Sequence, residues 1–182
     1  GIEIYNVFTN ARHINPGLMF FDGLWSLPRY HALLFANFYS RPNAALEKWD
    51  HVNLRRKVIG LAGNDAHANI GLSLNDSSGR PMLGLRLDPY EISFRLVRVH
   101  LLVPTDSPLN ENIIVDALAR GHCFIGFDLF GDTSGFSFRA SNLSESRIQG
   151  DEISLTGEIR FTVLTPIPAR IVLFKDGKAI RD

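Results

Sequence analysis

The spacing of apolar residues changes once along this chain, near residues 128–135, and that change limits the architectures it can adopt. Before it, short apolar runs alternate with stretches of helical periodicity. After it, period-two alternation recurs and no further helix is predicted. Alternating strands and helices followed by strands alone are typical of two successive domains. We therefore expect an α/β domain over residues 1–130 and a small all-β domain over residues 131–182.

The first domain shows both kinds of element clearly. The clearest helix is predicted over residues 110–120, where apolar residues recur at helical spacing and Gly121 supplies a left-handed stop. Asn43 is placed to cap a helix over residues 44–51. Residues 68–88 contain many Gly, Ser, Asn and Asp residues and are predicted to form a long loop. Strands are predicted over residues 2–7, 58–62, 122–127 and at least the second half of 90–103.

The second domain is predicted to contain four or five strands between residues 136 and 180, most of one sheet of an immunoglobulin-like sandwich. Residues 170–175 are expected to pair with residues 159–164. The Asp176-Gly177 turn signal is followed by only a few residues, so we expect this domain to be incomplete. The strand-like start at Gly1 has the same abrupt character. Both ends of the chain predict that it is an internal segment of a longer protein. The strand edges that such a segment exposes favour its self-association.

The overall charge and the cysteine content exclude several classes of function. Nineteen basic and nineteen acidic residues give a formal net charge of zero, which offers no global attraction for nucleic acid or an anionic membrane. The longest apolar runs are too short to cross a bilayer. Cys123 is the single cysteine, so an intrachain disulfide and a thiolate metal cluster are excluded. One cysteine favours a reducing compartment such as the cytoplasm.

Asp65 and His67 are the first candidate metal ligands. They follow the apolar run of residues 58–62 and Gly63, so they are expected on a turn at the carboxyl end of a buried strand. A carboxylate and an imidazole two residues apart can reach the same ions if Ala66 points away. This ligand type suits Zn, Mn or Fe. The alternative is that Asp65 caps a helix and that His67 lies nearby by chance.

Glu3 is a third candidate, because it interrupts the apolar strand Ile2-Glu3-Ile4. A buried carboxylate needs a cation, a metal ion or hydrogen-bond donors. If the strand alternates regularly, Glu3 points away from Ile2 and Ile4, which in a barrel is the interior. The alternative is that both isoleucines face the core and Glu3 faces solvent.

The hexapeptide Gly-Ile-Glu-Ile-Tyr-Asn at residues 1–6 and, some sixty residues later, Gly-Asn-Asp-Ala-His-Ala at residues 63–68 resemble the later motifs of the polymerase and histidinol phosphatase (PHP) family. Residues 47–68 are similar to the branch that includes carbaryl-hydrolase-like proteins. The resemblance covers roughly residues 1–128. It implies the second half of a distorted (β/α)7 barrel of the PHP type, which holds two or three divalent ions at the carboxyl ends of its strands.

Carried over to this chain, the resemblance implies that Glu3 bridges two ions and that Asp65 and His67 are ligands. Such a cluster polarises a phosphoryl oxygen and lowers the pKa of a bound water. Some family members also place a ligand histidine in the region of His13. The family's opening His-x-His motif does not occur in the 182 residues, so we expect this segment alone to bind metal weakly.

The substrate follows from the same resemblance. Arg12 and Arg86 are candidates for binding a substrate phosphate through a bidentate guanidinium contact, although both are also typical of a solvated surface. The leading hypothesis is part of a metal-dependent phosphoesterase that acts on a small phosphorylated substrate. Hydrolysis of a carbamate, amide or ester bond is a second interpretation of the same ligands. A third is a scaffold or binding domain without stoichiometric metal.

Overall fold

The computed structural model of the chain describes residues 1–7, 9, 26, 35–36, 39–67, 71–75, 78, 81–86 and 90–181. The helices with described bounds are α1 (Asn43–Asn53), α2 (Tyr90–Leu96) and α3 (Glu111–Arg120). The strands before residue 131 are β1 (Ile2–Asn6), β2 (Gly60–Gly63), β3 (Gly71–Asn75), β4 (Pro81–Arg86), β5 (Arg98–Leu101) and β6 (Cys123–Gly126). Those after it are β7 (Ser137–Ser141), β8 (Ser146–Ile148), β9 (Arg160–Leu164), β10 (Leu173–Lys175) and β11 (Lys178–Arg181). The protein is therefore α/β in the broad sense, and all its described helices precede residue 131, as predicted.

Strands β1 and β2 form a parallel pair in which Ile2 lies opposite Gly60 and Asn6 lies opposite Gly63. The register shifts between Glu3 and Tyr5, which marks a β-bulge. Because of the bulge, the consecutive residues Ile4 and Tyr5 are both buried, at 9% and 4% exposure. Regular alternation across this strand was therefore a wrong prediction.

The hydrophobic core joins β1 to the residues around α2 and β6. Its buried members are Tyr5, Val7, Phe35, Leu96 and Val97. The ring of Phe127, which follows β6, meets Tyr5 edge-on at 4.8 Å between ring centroids. Tyr39 packs on the same Phe127 ring, and its hydroxyl donates to the carbonyl oxygen of Leu96 at 2.5 Å. Burial raises the pKa of Tyr39 well above its usual value.

Helix α3 ends as its sequence predicts. The Asn110 side chain accepts a hydrogen bond from the Ile113 amide at 3.1 Å, and Gly121 adopts a φ of 78° just after the helix. Helix α1 differs, because Asn43 is its first helical residue rather than its cap. Pro42 precedes it, and no side chain caps its amino end.

The structure corrects one prediction about the middle of the chain and confirms another. Residues 68–88 contain the antiparallel hairpin β3–β4 rather than a continuous loop, with Gly71 opposite Arg86. The turn-forming residues are concentrated in residues 75–79, and the leucines on either side alternate as strands require. The prediction of a strand in the second half of residues 90–103 is confirmed by β5, and the first half is helix α2.

Strands β5 and β6 pair antiparallel, with Arg98 opposite Gly126. A β/α barrel uses parallel neighbours, so this pair departs from the expected pattern while β1 and β2 agree with it. In the described part of the chain these strands belong to separate two-stranded ladders. The barrel remains a prediction.

The region after residue 131 contains a three-stranded sheet in the order β8-β7-β9 and the hairpin β10–β11. At the hairpin turn, Asp176 and Gly177 have φ values of 51° and 74°, as a type I′ turn requires. The prediction that residues 170–175 pair with residues 159–164 was wrong, because β10 pairs with β11 and β9 pairs with β7. A return strand of four residues is enough to form the ladder.

The turn after β8 packs on the carboxyl end of α3. The Nε2 atom of His122 lies 2.7 Å from Oδ1 of Asp151. Lys57 Nζ donates to the Gly150 carbonyl oxygen at 2.5 Å. A Cβ atom on Gly150 would clash with the Gly121 backbone, so the two chain segments approach closely because residue 150 has no side chain. The division into domains at residue 130 stays a prediction.

Candidate metal centre

The turn over residues 64–67 directly follows β2 and contains two of the predicted ligands. Asp65 has a φ of 52°, in the left-handed region that aspartate tolerates better than most residues. A helix N-cap has extended backbone geometry instead, and residues 64–67 are not helical. The conformation of Asp65 therefore argues against the interpretation of this residue as a helix cap.

The His67 ring is oriented by the backbone of the same turn. Its Nδ1 atom lies 2.5 Å from the carbonyl oxygen of Asp65. Because a carbonyl oxygen only accepts, Nδ1 must carry the proton, and Nε2 of the neutral ring keeps its lone pair. A hydrogen bond to the nitrogen that does not bind metal is the usual way in which a ligand histidine is oriented.

The spacing between His67 and Asp65 fits a shared divalent ion. Nε2 of His67 lies 3.5 Å from Oδ1 of Asp65. Two ligand atoms bound to one zinc ion at about 2.1 Å with tetrahedral angles are about 3.4 Å apart. The two side chains are about half exposed, at 55% and 45%. The spacing and the exposure of the pair are therefore compatible with an ion shared between the two side chains.

Glu3 lies beside this turn, but it is exposed rather than buried. Of the two interpretations of Glu3, the solvent-facing one agrees with the structure and the inward-facing one was wrong, because the bulge in β1 turns Ile4 and Tyr5 together toward the core. Its carboxylate lies against Gly63, where an added Cβ would be 2.6 Å from Oε1. Gly63 is two residues before Asp65, so the carboxylate reaches the end of β2 that carries the ligand turn.

The structure thus brings Asp65 and His67 together and places Glu3 at the neighbouring Gly63. Within the described residues, no three His, Cys, Asp or Glu side chains converge closely enough to hold an ion by themselves. His13 and Arg12 lie outside the described residues, and for Arg86 only the backbone, in β4, is described. Their predicted roles stay predictions.

Two asparagines near the ligands were missed by the sequence analysis. Asn6 donates from Nδ2 to both carboxylate oxygens of Glu3, each at 3.3 Å. Asn64 accepts the backbone amide of Val97 at 3.2 Å, which ties the ligand turn to the residue before β5. Asn6 ends β1 and Asn64 follows β2, and the sequence alone does not show what they contact. The bulge in β1 is what puts Asn6 on the same face as Glu3.

A second polar cluster surrounds Asp128, which is 3% exposed. Its Oδ2 atom lies 3.0 Å from His100 Nε2 and accepts from Arg98 at 3.2 Å. Its Oδ1 atom accepts from the hydroxyl and the amide of Thr133 at 2.5 and 3.1 Å. Arg98 is the first residue of β5 and follows Val97, whose amide donates to Asn64. The cluster therefore fixes the start of β5 next to the residue that holds Asn64. His100 is therefore part of a hydrogen-bonded cluster around a buried carboxylate.

Comparison of the chain with protein-family models, with curated proteins and with solved structures gives no match.

Proposed function

We propose that this chain carries part of the metal centre of a metal-dependent hydrolase, with Asp65, His67 and Glu3 as ligands. The observation that carries the proposal is the 3.5 Å spacing between His67 Nε2 and Asp65 Oδ1 on a turn that also fixes the ring nitrogen. A bound divalent ion would supply Lewis-acid polarisation of the scissile group.

The residues of the chain have separate tasks in this proposal. The left-handed turn at Asp65 aims its carboxylate and the His67 imidazole at the same point. Glu3 adds a second carboxylate from the adjacent strand. Carboxylates and an imidazole suit Zn, Mn or Fe, and these three side chains would hold the ion together with ligands from outside the described residues. The half-exposed turn leaves the ion accessible to substrate.

We further propose that the bond cleaved is a phosphoester and that the α/β part belongs to a barrel of the PHP type. The parallel pair β1–β2, with ligands after β2, supports that architecture. The preference for a phosphoester comes from the resemblance of residues 1–6 and 63–68 to the family's motifs. The same ligand set would also serve hydrolysis of a carbamate, amide or ester.

Metal content tests the proposal directly. Bound Mn²⁺ or Zn²⁺ is measured by equilibrium dialysis at a high free-metal concentration, which detects weak binding, for the unsubstituted protein beside Asp65→Ala and His67→Ala. His51→Ala is the control, since His51 lies exposed on α1. We expect both turn variants to lose most of the bound metal and the control to keep it. Equal metal content in all four proteins, or none in any, would refute the proposal.

Substrate screening of the metal-loaded protein separates the bond classes. Aryl phosphate, aryl carbamate and aryl acetate are compared at equal concentration, each with wild type and Asp65→Ala. We expect metal-dependent turnover of the phosphate that Asp65→Ala abolishes. Turnover confined to the carbamate or acetate would refute the phosphoester assignment and leave the metal centre intact.

A further inference from the structure

We infer that Asn6 and Gly63 together position the Glu3 carboxylate at the metal centre, Asn6 by hydrogen bonding and Gly63 by leaving the space the carboxylate occupies. This inference rests on the proposed function, because it concerns how one of the three ligands is held. Neither residue contacts the ion itself, so both are positioning residues.

The orientation of the Asn6 side-chain amide is determined by the hydrogen bond that its oxygen atom accepts. Its Oδ1 atom accepts a hydrogen bond from the backbone amide of Thr9 at 3.0 Å. Since a backbone amide only donates, the oxygen must face Thr9, and the Nδ2 donors must face Glu3. The amide therefore presents donors to the carboxylate in one fixed orientation.

The contact leaves the carboxylate able to bind ions. Nδ2 is 3.3 Å from Oε1 and 3.3 Å from Oε2, so neither oxygen is favoured. An ionised carboxylate has about four acceptor sites, and Asn6 has two N–H groups to fill them. Each oxygen thus keeps acceptor capacity, so the carboxylate would still be able to bind an ion.

The absence of a side chain at residue 63 leaves space for the Glu3 carboxylate, and the backbone conformation there does not itself require glycine. Gly63 is not among the residues with positive φ, so alanine fits its backbone without strain. An alanine Cβ, however, would lie 2.6 Å from Glu3 Oε1. Ordinary contact begins near 3.4 Å, so the carboxylate must move by roughly 0.8 Å, away from β2, the strand that precedes Asp65.

The bulge in β1 explains why these residues act together. In a regular strand, residues three apart point to opposite faces. The register shift between Glu3 and Tyr5 puts Glu3 and Asn6 on one face, above Gly63, which pairs with Asn6. The bulge therefore brings Asn6 and Gly63 into the positions from which they hold the Glu3 carboxylate.

The test is the Mn²⁺ affinity of the full chain, measured from the EPR signal of free Mn²⁺ for Asn6→Ala, Gly63→Ala, Glu3→Gln and the double variants with Glu3→Gln. Loss of an orienting partner typically weakens metal binding 10- to 100-fold. We expect a loss of about that size for Asn6→Ala and for Gly63→Ala. In the Glu3→Gln background neither should weaken binding further, because both act through the Glu3 carboxylate.

Two matched controls separate positioning from loss of structure. Asn53→Ala removes an asparagine that likewise bonds at both ends, to Trp49 and Val58, without touching a carboxylate. Gly131→Ala adds a Cβ at ordinary distance, 3.6 Å from Ile167. Both should leave Mn²⁺ affinity unchanged while urea unfolding reports any cost in stability.

Three results would overturn the inference. Wild-type affinity in Asn6→Ala and Gly63→Ala contradicts it and leaves the metal centre itself in place. Losses that persist undiminished in the Glu3→Gln background show a general structural effect instead. Failure of the unsubstituted chain to bind Mn²⁺ overturns the proposed function together with this inference. If Gly63→Ala does not fold, Asn6→Ala and its double variant decide the question.

Discussion

Asp128→Asn should destabilise the protein strongly, although it changes only one atom of the side chain. The carboxylate is 3% exposed and accepts bonds on both oxygens. An asparagine amide would place a donor toward Arg98 in one orientation and toward the Thr133 amide in the other. Both of these groups only donate, so neither orientation satisfies the cluster.

The expected cost follows from the contacts that are lost. A hydrogen bond to a charged group contributes about 1.5–3 kcal/mol, and a donor left facing another donor adds a desolvation penalty. Because Arg98 is about half exposed, its hydrogen bond to Asp128 contributes a free energy near the lower end of that range. We expect a loss of about 3 kcal/mol in the free energy of unfolding at pH 7.

Urea unfolding of Asp128→Asn beside Asp116→Asn measures this cost. Asp116 pairs with Arg120 on the surface of α3 at 2.9 Å, and its side chain is 57% exposed. That control should lose no more than about 0.5 kcal/mol. A cost for Asp128→Asn as small as that of the control, with an unchanged dependence on urea, would refute the reasoning.

The difference between wild type and Asp128→Asn should also depend on pH. Burial by itself raises the pKa of Asp128, but hydrogen bonds from Thr133 and the contact with His100 outweigh it, so the pKa lies below the usual value. A carboxyl group with a lowered pKa in the folded state contributes its full stability above the unfolded value, about 3.9. The advantage of wild type should therefore shrink as the pH falls below 4.

Two further predictions concern the second half of the chain. Gly177→Ala should lower the free energy of unfolding by about 1 kcal/mol, because Gly177 has a φ of 74°; a change no larger than that of Gly131→Ala, measured by urea unfolding, would contradict this. Asp151→Asn should cost about 1 kcal/mol at pH 6, because the hydrogen bond with His122 chiefly lowers the pKa of Asp151 and stabilises the fold above about pH 4. This cost should disappear as the pH falls through the lowered pKa, and its persistence at pH 2 in urea unfolding would contradict the assignment.

Local signals predicted the parts of the fold that depend on neighbouring residues. The helix over residues 110–120 carries its own cap at Asn110 and its own stop at Gly121, and the stop works as predicted. Tertiary pairing was harder to predict. Residues 170–175 have no local feature that selects a partner, and the type I′ turn at Asp176-Gly177 determined the pairing instead.

In the candidate site, too, local signals predicted one part and tertiary pairing decided the other. The position of Asp65 and His67 after a strand followed from the apolar run and Gly63. The surroundings of Glu3 did not, because a bulge shifts every later side chain to the other face. The roles of Asn6 and Gly63 depend on that shift and on the parallel register with β2.

The protonation of His67 is the most direct test of the metal centre. Long-range ¹H–¹⁵N correlation spectra of the imidazole identify which nitrogen carries the proton and which responds to Zn²⁺, with the exposed His51 as internal control. The structure predicts a proton on Nδ1, bound to the Asp65 carbonyl, and a Zn²⁺-dependent shift of Nε2 that Asp65→Ala abolishes. A proton on Nε2, or a His67 ring that responds to Zn²⁺ no more than His51, would contradict the proposed metal centre.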